Sequence, residues 1–253
     1  MYVEMPPPSV LRDVVRCSWE LLSEGNPQRV LPDGCTDLLF SWRAGSDVVA
    51  AQVVGAMTRA VVTPSATPGQ LLGIRLQPWA ARTVLDVPAD ELRDRAVDLE
   101  SVWGAEGRRL RERLANARCR DERLRVVEAQ LVRRMARARY AAPASVLAAV
   151  GNLLASGGAG SIRALAAQVG AGERFLERAF EAHVGLSPKG LARICRLQAA
   201  VRALDSNADA ELAASAGYAD QSHLIREFRA LSGLTPRQLA AERLSDSSNP
   251  FLA

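Results

Sequence analysis

The spacing of hydrophobic and polar positions changes character along the chain. Over the first part the apolar runs are short and rich in Val and Leu ("CTDLLFSW", "VVAAQVVGA", "AVVTPSA", "QLLGIRLQ"), each bounded by Gly or Pro. That pattern predicts β-strands joined by turns, with "PDG" at 32–34 turning the chain into a strand over Cys35–Trp42. Further on, Leu110 and Leu114, then Leu124, Val127, Leu131 and Met135, recur at intervals of three and four. Those intervals predict helices across ~106–139, with Asp121 as an N-cap between them. Pro143, in "RYAAPAS", ends any helix before it and marks a boundary. Beyond it the pattern stays helical. Val146 to Leu154 leads to the break "SGGAG", Ser161 caps a helix to about Val169, and a second helix runs from Gly172 to about Val184. Ser187 and Pro188 open a long helix whose Leu191, Ile194, Leu197, Val201 and Leu204 form one apolar stripe. The expected fold class is α+β. Residues 1–140 form a small β-barrel or open sheet, β-rich to ~80, followed by helices; residues 144–244 are all-α; residues 245–253 are a tail.

The all-α part repeats itself. Leu176, Arg178, Phe180, Gly185, Leu186 and Pro188 recur 48 positions on as Leu224, Arg226, Phe228, Gly233, Leu234 and Pro236. Leu165, Ala166, Ala167 and Gly170 recur 47 positions on as Leu212, Ala213, Ala214 and Gly217, so one turn differs by a residue. The repeat is a supersecondary unit of helix, tight glycine turn and helix, which is the helix-turn-helix arrangement. The second copy is expected over Asp209–Ala216, Gly217 and Asp220–Leu231, with the 188–204 helix holding the two units apart.

"LAAQVGAGERFLERAFEAHVGLSPKGLARICRLQAAVRAL" and "ELAASAGYADQSHLIREFRALSGLTPRQL" resemble the DNA-binding domain of the AraC/XylS family of bacterial transcription regulators. The resemblance covers residues ~144–244 and is most specific in "GYADQSHLIREFRALSGLTP". It implies two helix-turn-helix units on one linker helix, a double-stranded DNA partner, an upstream sensing or dimerisation domain, a homodimer, and contact with RNA polymerase. Independently, helical spacing puts Arg174, Glu177 and Arg178 on an exposed face beside Phe175, Leu176 and Phe180, taken as buried. Gln221, Ser222, His223 and Arg226 occupy the matching turns of the second unit. Arginine suits guanine edges or phosphates, and glutamate accepts from cytosine N4. Glu173, Glu177 and Glu181 make the first helix acidic, unlike the family pattern, so the second unit is expected to carry more of the grip.

The charge is uneven. The net +4 divides into −5 over residues 1–106, +8 over 107–140 and +1 over 141–253. A basic total fits nucleic-acid binding. Only Lys189 among the 32 basic residues is lysine, so the arginines also reflect compositional bias. The arginine-rich helices read as a solvated face, with a subunit interface or auxiliary DNA contact as the lesser alternative. No apolar run is long enough to cross a membrane, and "MYVEMPPPSV" lacks the regions of a signal peptide, so a cytoplasmic protein is expected. The four cysteines and two histidines have no ligand spacing; neither metal nor cofactor is expected.

"RVLPDGCTDLLFSW", "LLGIRLQPWAARTVL" and "LRDRAVDLESVWG" resemble a sensing domain found with this regulator type. A small-molecule effector is therefore expected, with Asp33, Cys35, Asp37, Trp42, Arg75, Gln77 and Trp79 as candidate pocket residues. Two rivals stay open: a dimeric regulator without a ligand, and a small-molecule-binding enzyme with a structural helical half. No nucleophile triad or cofactor fingerprint supports catalysis.

Overall fold

The computed structural model describes residues 2–43, 49–63, 68–204 and 217–245. Among the described residues are eight strands: β1 (Tyr2–Met5), β2 (Val15–Ser23), β3 (Arg29–Val30), β4 (Asp37–Arg43), β5 (Val49–Val54), β6 (Val61–Val62), β7 (Gly69–Leu76) and β8 (Ala96–Asp98). Six form one sheet in the order β1-β2-β7-β4-β5-β8, every neighbouring pair antiparallel, while β3 and β6 pair as a separate ribbon. Of the two expected forms, barrel and sheet, the described strands make the open sheet, with β1 and β8 as its edges.

Period-two alternation decides which side chains go where. Leu38, Phe40 and Trp42 of β4, Val49, Ala51 and Val53 of β5, and Leu72, Ile74 and Leu76 of β7 share one face and one core. Helices cover that face: α1 (Ala81–Leu85), α2 (Leu99–Trp103), α3 (Ala105–Ala115) and α4 (Arg120–Met135) contribute Val84, Trp103, Leu110, Leu114, Val127 and Leu131. Asp121 is not the N-cap of α4. That position is Cys119, and Asp121 sits in the first turn, where its charge favours the helix dipole. On the opposite face Cys17, Trp19 and Leu21 pack with Tyr2, Leu39 and Leu71. Trp19 pairs with Gly73 across β2 and β7, and its indole lies where a side chain at 73 would be: an added Cβ would stand 1.9 Å from the ring.

The C-terminal part contains α5 (Ala144–Ala155), α6 (Ile162–Gln168), α7 (Glu173–Val184), α8 (Pro188–Ala203), α9 (Gln221–Ser232) and α10 (Pro236–Ser245). The expected first helix of the second unit, over 209–216, lies outside the described residues, as does nearly all of the expected tail. The apolar stripe of α8 is shared. Leu191 and Ile194 join Val150, Leu165, Leu176 and Phe180 in one core. Leu197 and Val201 join Leu224, Phe228, Leu231 and Leu239 in another. The "SGGAG" break lets the chain pass close beneath α8. Gly158, at φ 78°, has no room for a Cβ, which would lie 2.1 Å from the Ala192 carbonyl oxygen.

The two halves are packed together. Ala56 and Trp79 enter the first helical core, and Leu31 and Ala60 enter the second. Gly73→Ala drives a methyl into the Trp19 ring at the centre of the sheet. It is expected to lower unfolding free energy by about 1–3 kcal/mol or more, read as a lower urea midpoint by fluorescence.

Candidate nucleic-acid interface

Local signals in the sequence set α7 and α9. In the first unit the Ser161 hydroxyl accepts from Ala164 N at 3.1 Å to start α6. Gly170, at φ 63°, makes the turn, and α7 ends at Gly185 in the left-handed conformation (φ 81°). Ser187 then accepts from Gly190 N at 3.0 Å, with Pro188 at the first turn of α8. The second unit repeats the scheme. Gly217 has φ 73°, Asp220 caps α9 by accepting from His223 N at 2.7 Å, and Gly233 closes it at φ 79°. Thr235 and Gln238 form a reciprocal capping box: Gln238 Oε1 accepts from Thr235 N at 2.9 Å, and Thr235 Oγ1 accepts from Gln238 N at 3.3 Å. The duplicated "GLSP" and "GLTP" are thus paired stop-and-start signals.

Arg174, Glu177 and Arg178 are exposed on α7, on the side away from buried Leu176 and Phe180. Gln221, Ser222 and Arg226 are exposed on α9. Among the described residues none of Arg174, Arg178 and Arg226 has an ion pair, although Glu173, Glu177 and Glu181 share their surface on α7. Three cationic heads are therefore left in water on the two faces, available to an anionic partner. His223 is tied more closely to its own turn: Nδ1 accepts from Ala219 N at 3.4 Å and the ring meets Tyr218 edge-on at 5.5 Å. In the neutral ring Nε2 then carries the proton and is the free donor.

Phe175 was expected in the core and is instead 46% exposed. The buried stripe of α7 runs Leu176, Phe180, His183, Val184, and Phe175 lies one residue off it, about 100° around the helix. An apolar ring among the exposed arginines suits contact with a thymine methyl. Its aligned position in the second unit is His223, so both units carry a ring there, and the 48-residue offset was the available signal.

Several contacts hold these helices in place. Arg193 of α8 makes a two-pronged ion pair with Glu227 of α9, Nε–Oε2 2.7 Å and Nη2–Oε1 3.1 Å. From the N-terminal half, Arg93 Nε donates to the Gly185 carbonyl at 2.5 Å, where a Cβ on Gly185 would collide with the Ala89 carbonyl. Arg29 reaches the far unit, pairing with Glu242 at 2.9 Å and donating to the Ser232 carbonyl at 3.1 Å. Ala60 N donates to the Leu231 carbonyl at 2.6 Å. Both units are therefore clasped to the sheet domain at the C-terminal ends of α7 and α9.

Residues 165–242 match the family model described as a helix-turn-helix domain. The chain carries an AraC-type helix-turn-helix domain. Upstream of that domain, residues 3–98 match a domain of unknown function (DUF6597). No curated protein matches the chain. Among solved structures, ToxT from Vibrio cholerae is similar at 8% identity, covering 94% of this chain and 97% of that one, with a TM-score of 0.47. An unsaturated fatty acid-bound ToxT from strain SCE256 is similar at 6% identity, covering 94% of each chain, with a TM-score of 0.45.

The sheet divides the seven candidate effector residues. Asp33, Cys35, Asp37 and Arg75 come together: Arg75 Nε lies 3.1 Å from Asp33 Oδ2 and 3.3 Å from Asp37 Oδ1, and Cys35 N donates to Asp33 at 2.9 Å. Trp42 points to the opposite, helix-covered face, beneath the Arg123 guanidinium at 4.0 Å. Gln77 and Trp79 lie past the end of β7, donating to the Arg12 and Asp13 carbonyls. The seven do not line one pocket, because period two sends Asp37 and Trp42 to different faces. Burial, reinforced by Asp33, holds the Cys35 thiol well above its ordinary range, so it stays protonated and unreactive.

His183, at the buried end of α7 beside α1, is shifted down by burial and then by the nearby Arg82. The folded protein therefore resists protonating it, while the unfolded chain binds a proton below about pH 6.5. Stability is expected to decline as pH falls from about 6.5 towards the folded value and to level off below. Thermal unfolding from pH 7.5 to 5 checks this, and His183→Gln should flatten that part of the curve.

Proposed function

We propose that the protein is a sequence-specific DNA-binding transcription regulator, with residues 144–244 as its DNA reader and residues 1–140 as a sensing and dimerisation domain for a small-molecule effector. The observation that carries the reading is the pair of exposed helix faces on α7 and α9, whose arginines Arg174, Arg178 and Arg226 have no ion pair among the described residues, with both helices fixed through the single helix α8. Consecutive major grooves on one face of a duplex lie about 34 Å apart. A stiff linker is what two such readers require. Arg226, with Gln221, Ser222 and His223, reads one groove; Arg174, Arg178, Glu177 and Phe175 read the other. The acidic Glu173 and Glu181 repel phosphates, so α7 contributes less to grip than to selection. DNA binding is then expected to lean on α9 and on dimerisation, with RNA polymerase as a further partner. The enzyme alternative has little support: the matched helix-turn-helix family consists of regulators.

Effector binding acts by changing how the sheet domain holds the two units, since it touches both at their helix ends. The test is binding to DNA upstream of the protein's own gene, and to sites selected from random sequence, across a salt series. Arg226→Ala is expected to cost about 1–3 kcal/mol on the selected site and to relax specificity at one position. Arg178→Ala should cost less. Failure of selection to enrich any site would sink the regulator reading.

A further inference from the structure

Helices α3 and α4 present arginines to one another. Arg109 and Arg113 stand four residues apart on α3, Arg133 lies on α4, and Arg137 follows two residues past its end. All four are exposed, and they line, with Arg134, a cleft of about 400 Å³ between α1, α3 and α4. Like charges at that spacing repel and destabilise a helix. The α3 pair, with Arg133 and Arg137 lining the same cleft, is therefore not explained by folding stability.

The carboxylates in the cleft do not neutralise it. Asp86 is engaged by Arg139 at 2.5 Å. Glu106 is held by Arg134 at 2.7 Å, with Arg137 further off at 3.8 Å. Among the described residues Arg109 and Arg113 have no ion pair, and Arg133 Nη2 donates only to the Gln130 side-chain oxygen Oε1, at 3.2 Å. Five arginines against two occupied carboxylates leave a concave surface with uncompensated positive charge. Leu110 and Thr83 contribute smaller, less polar parts of the lining.

We infer that this cleft binds a small, multiply charged anion, a polycarboxylate or a phosphate ester, and that this is the effector site. The inference rests on the regulator reading above. The volume suits a small molecule, and guanidinium groups on two facing helices suit two anionic groups of one ligand. A wall of the cleft also leads to the DNA reader. Arg134 donates to the Val84 carbonyl at 2.8 Å and so grips the end of α1, while α1 packs against α7. An anion that draws α3 and α4 together bears on α1, and through it on the first recognition helix.

The experiment is titration calorimetry of the full chain with sodium pyrophosphate and, separately, citrate, at ionic strength held constant with NaCl. Wild type is compared with R109Q/R113Q and with R133Q. Saturable binding, at least tenfold weaker in the double variant and weakened in R133Q, is expected. Without anion the double variant should unfold no earlier than wild type, because a repulsion has been removed. DNA affinity of the wild type should change on adding the anion that binds. Absence of saturable heat, or equal heat in all three proteins, overturns the inference. So does anion binding that leaves DNA affinity unchanged. If the double variant loses DNA affinity and salt dependence while no anion binds, the cleft is a contact to the nucleic-acid backbone, and the inference fails while the regulator reading stands. If no DNA site is ever recovered although the anion binds as described, the regulator reading fails instead, and with it only the effector role of the cleft.

Discussion

The burial of one helix in two hydrophobic cores sets the geometry of the helical part. Leu191 and Ile194 of α8 complete the core beneath α7, and Leu197 and Val201, a turn or so further along, complete the core beneath α9. Each core alone is small, and neither unit can bury its apolar face without its share of α8. Because an α-helix is stiff over this length, the two cores cannot reorient without breaking the packing of one of them. The Arg193–Glu227 pair adds a directional contact to a surface otherwise held by non-directional apolar packing. Partly exposed pairs of this kind contribute modestly to stability, and their main consequence is to set the orientation of α9.

The sheet domain meets this assembly through backbone groups at helix ends. The last carbonyls of a helix lack partners within it. Arg93 and Arg29 supply donors to the carbonyls of Gly185 and Ser232, at or beside those ends. Gly185 is required twice over at its position, once for its left-handed backbone and once for the close approach of Ala89. Gly185, which ends α7, is thus also a contact between the sheet domain and the helical part.

Arginine serves several purposes in this chain. Arg75 balances two carboxylates on one face of the sheet, Arg123 and Arg134 lie over tryptophan rings, and Arg196 donates to the Gly158 carbonyl. The basic stretch over 107–140 is thereby split. Arg108, Arg111 and Arg134 are neutralised by acids of the preceding −5 segment, whereas Arg109, Arg113 and Arg133 are not. Summed charge by segment hides that division.

The periodic pattern by itself determined the α+β class, strands within "CTDLLFSW", "VVAAQVVGA" and "QLLGIRLQ", and the described helices of the two units with the Ser161 and Ser187 caps. These depend on local rules: the side-chain period of two or 3.6, a hydroxyl or carboxylate at an N-cap, and glycine where the backbone turns left-handed. The 48-residue offset also placed Arg178 and Arg226 on matching faces. What the local pattern left open was decided by contacts distant in sequence. Trp42 and Arg75 could be placed in strands but not together, because which strand neighbours which, and so which residues share a sheet face, follows from pairing across the chain. Phe175 read as core on hydrophobicity alone, yet the stripe beneath α7 is filled by Leu176, Phe180 and His183, leaving no buried place for it. The arginine-rich helices looked like a solvated face. Only the packing of α3 and α4 on one another, with α1 against α4, brings Arg109, Arg113, Arg133 and Arg137 to the wall of one cleft.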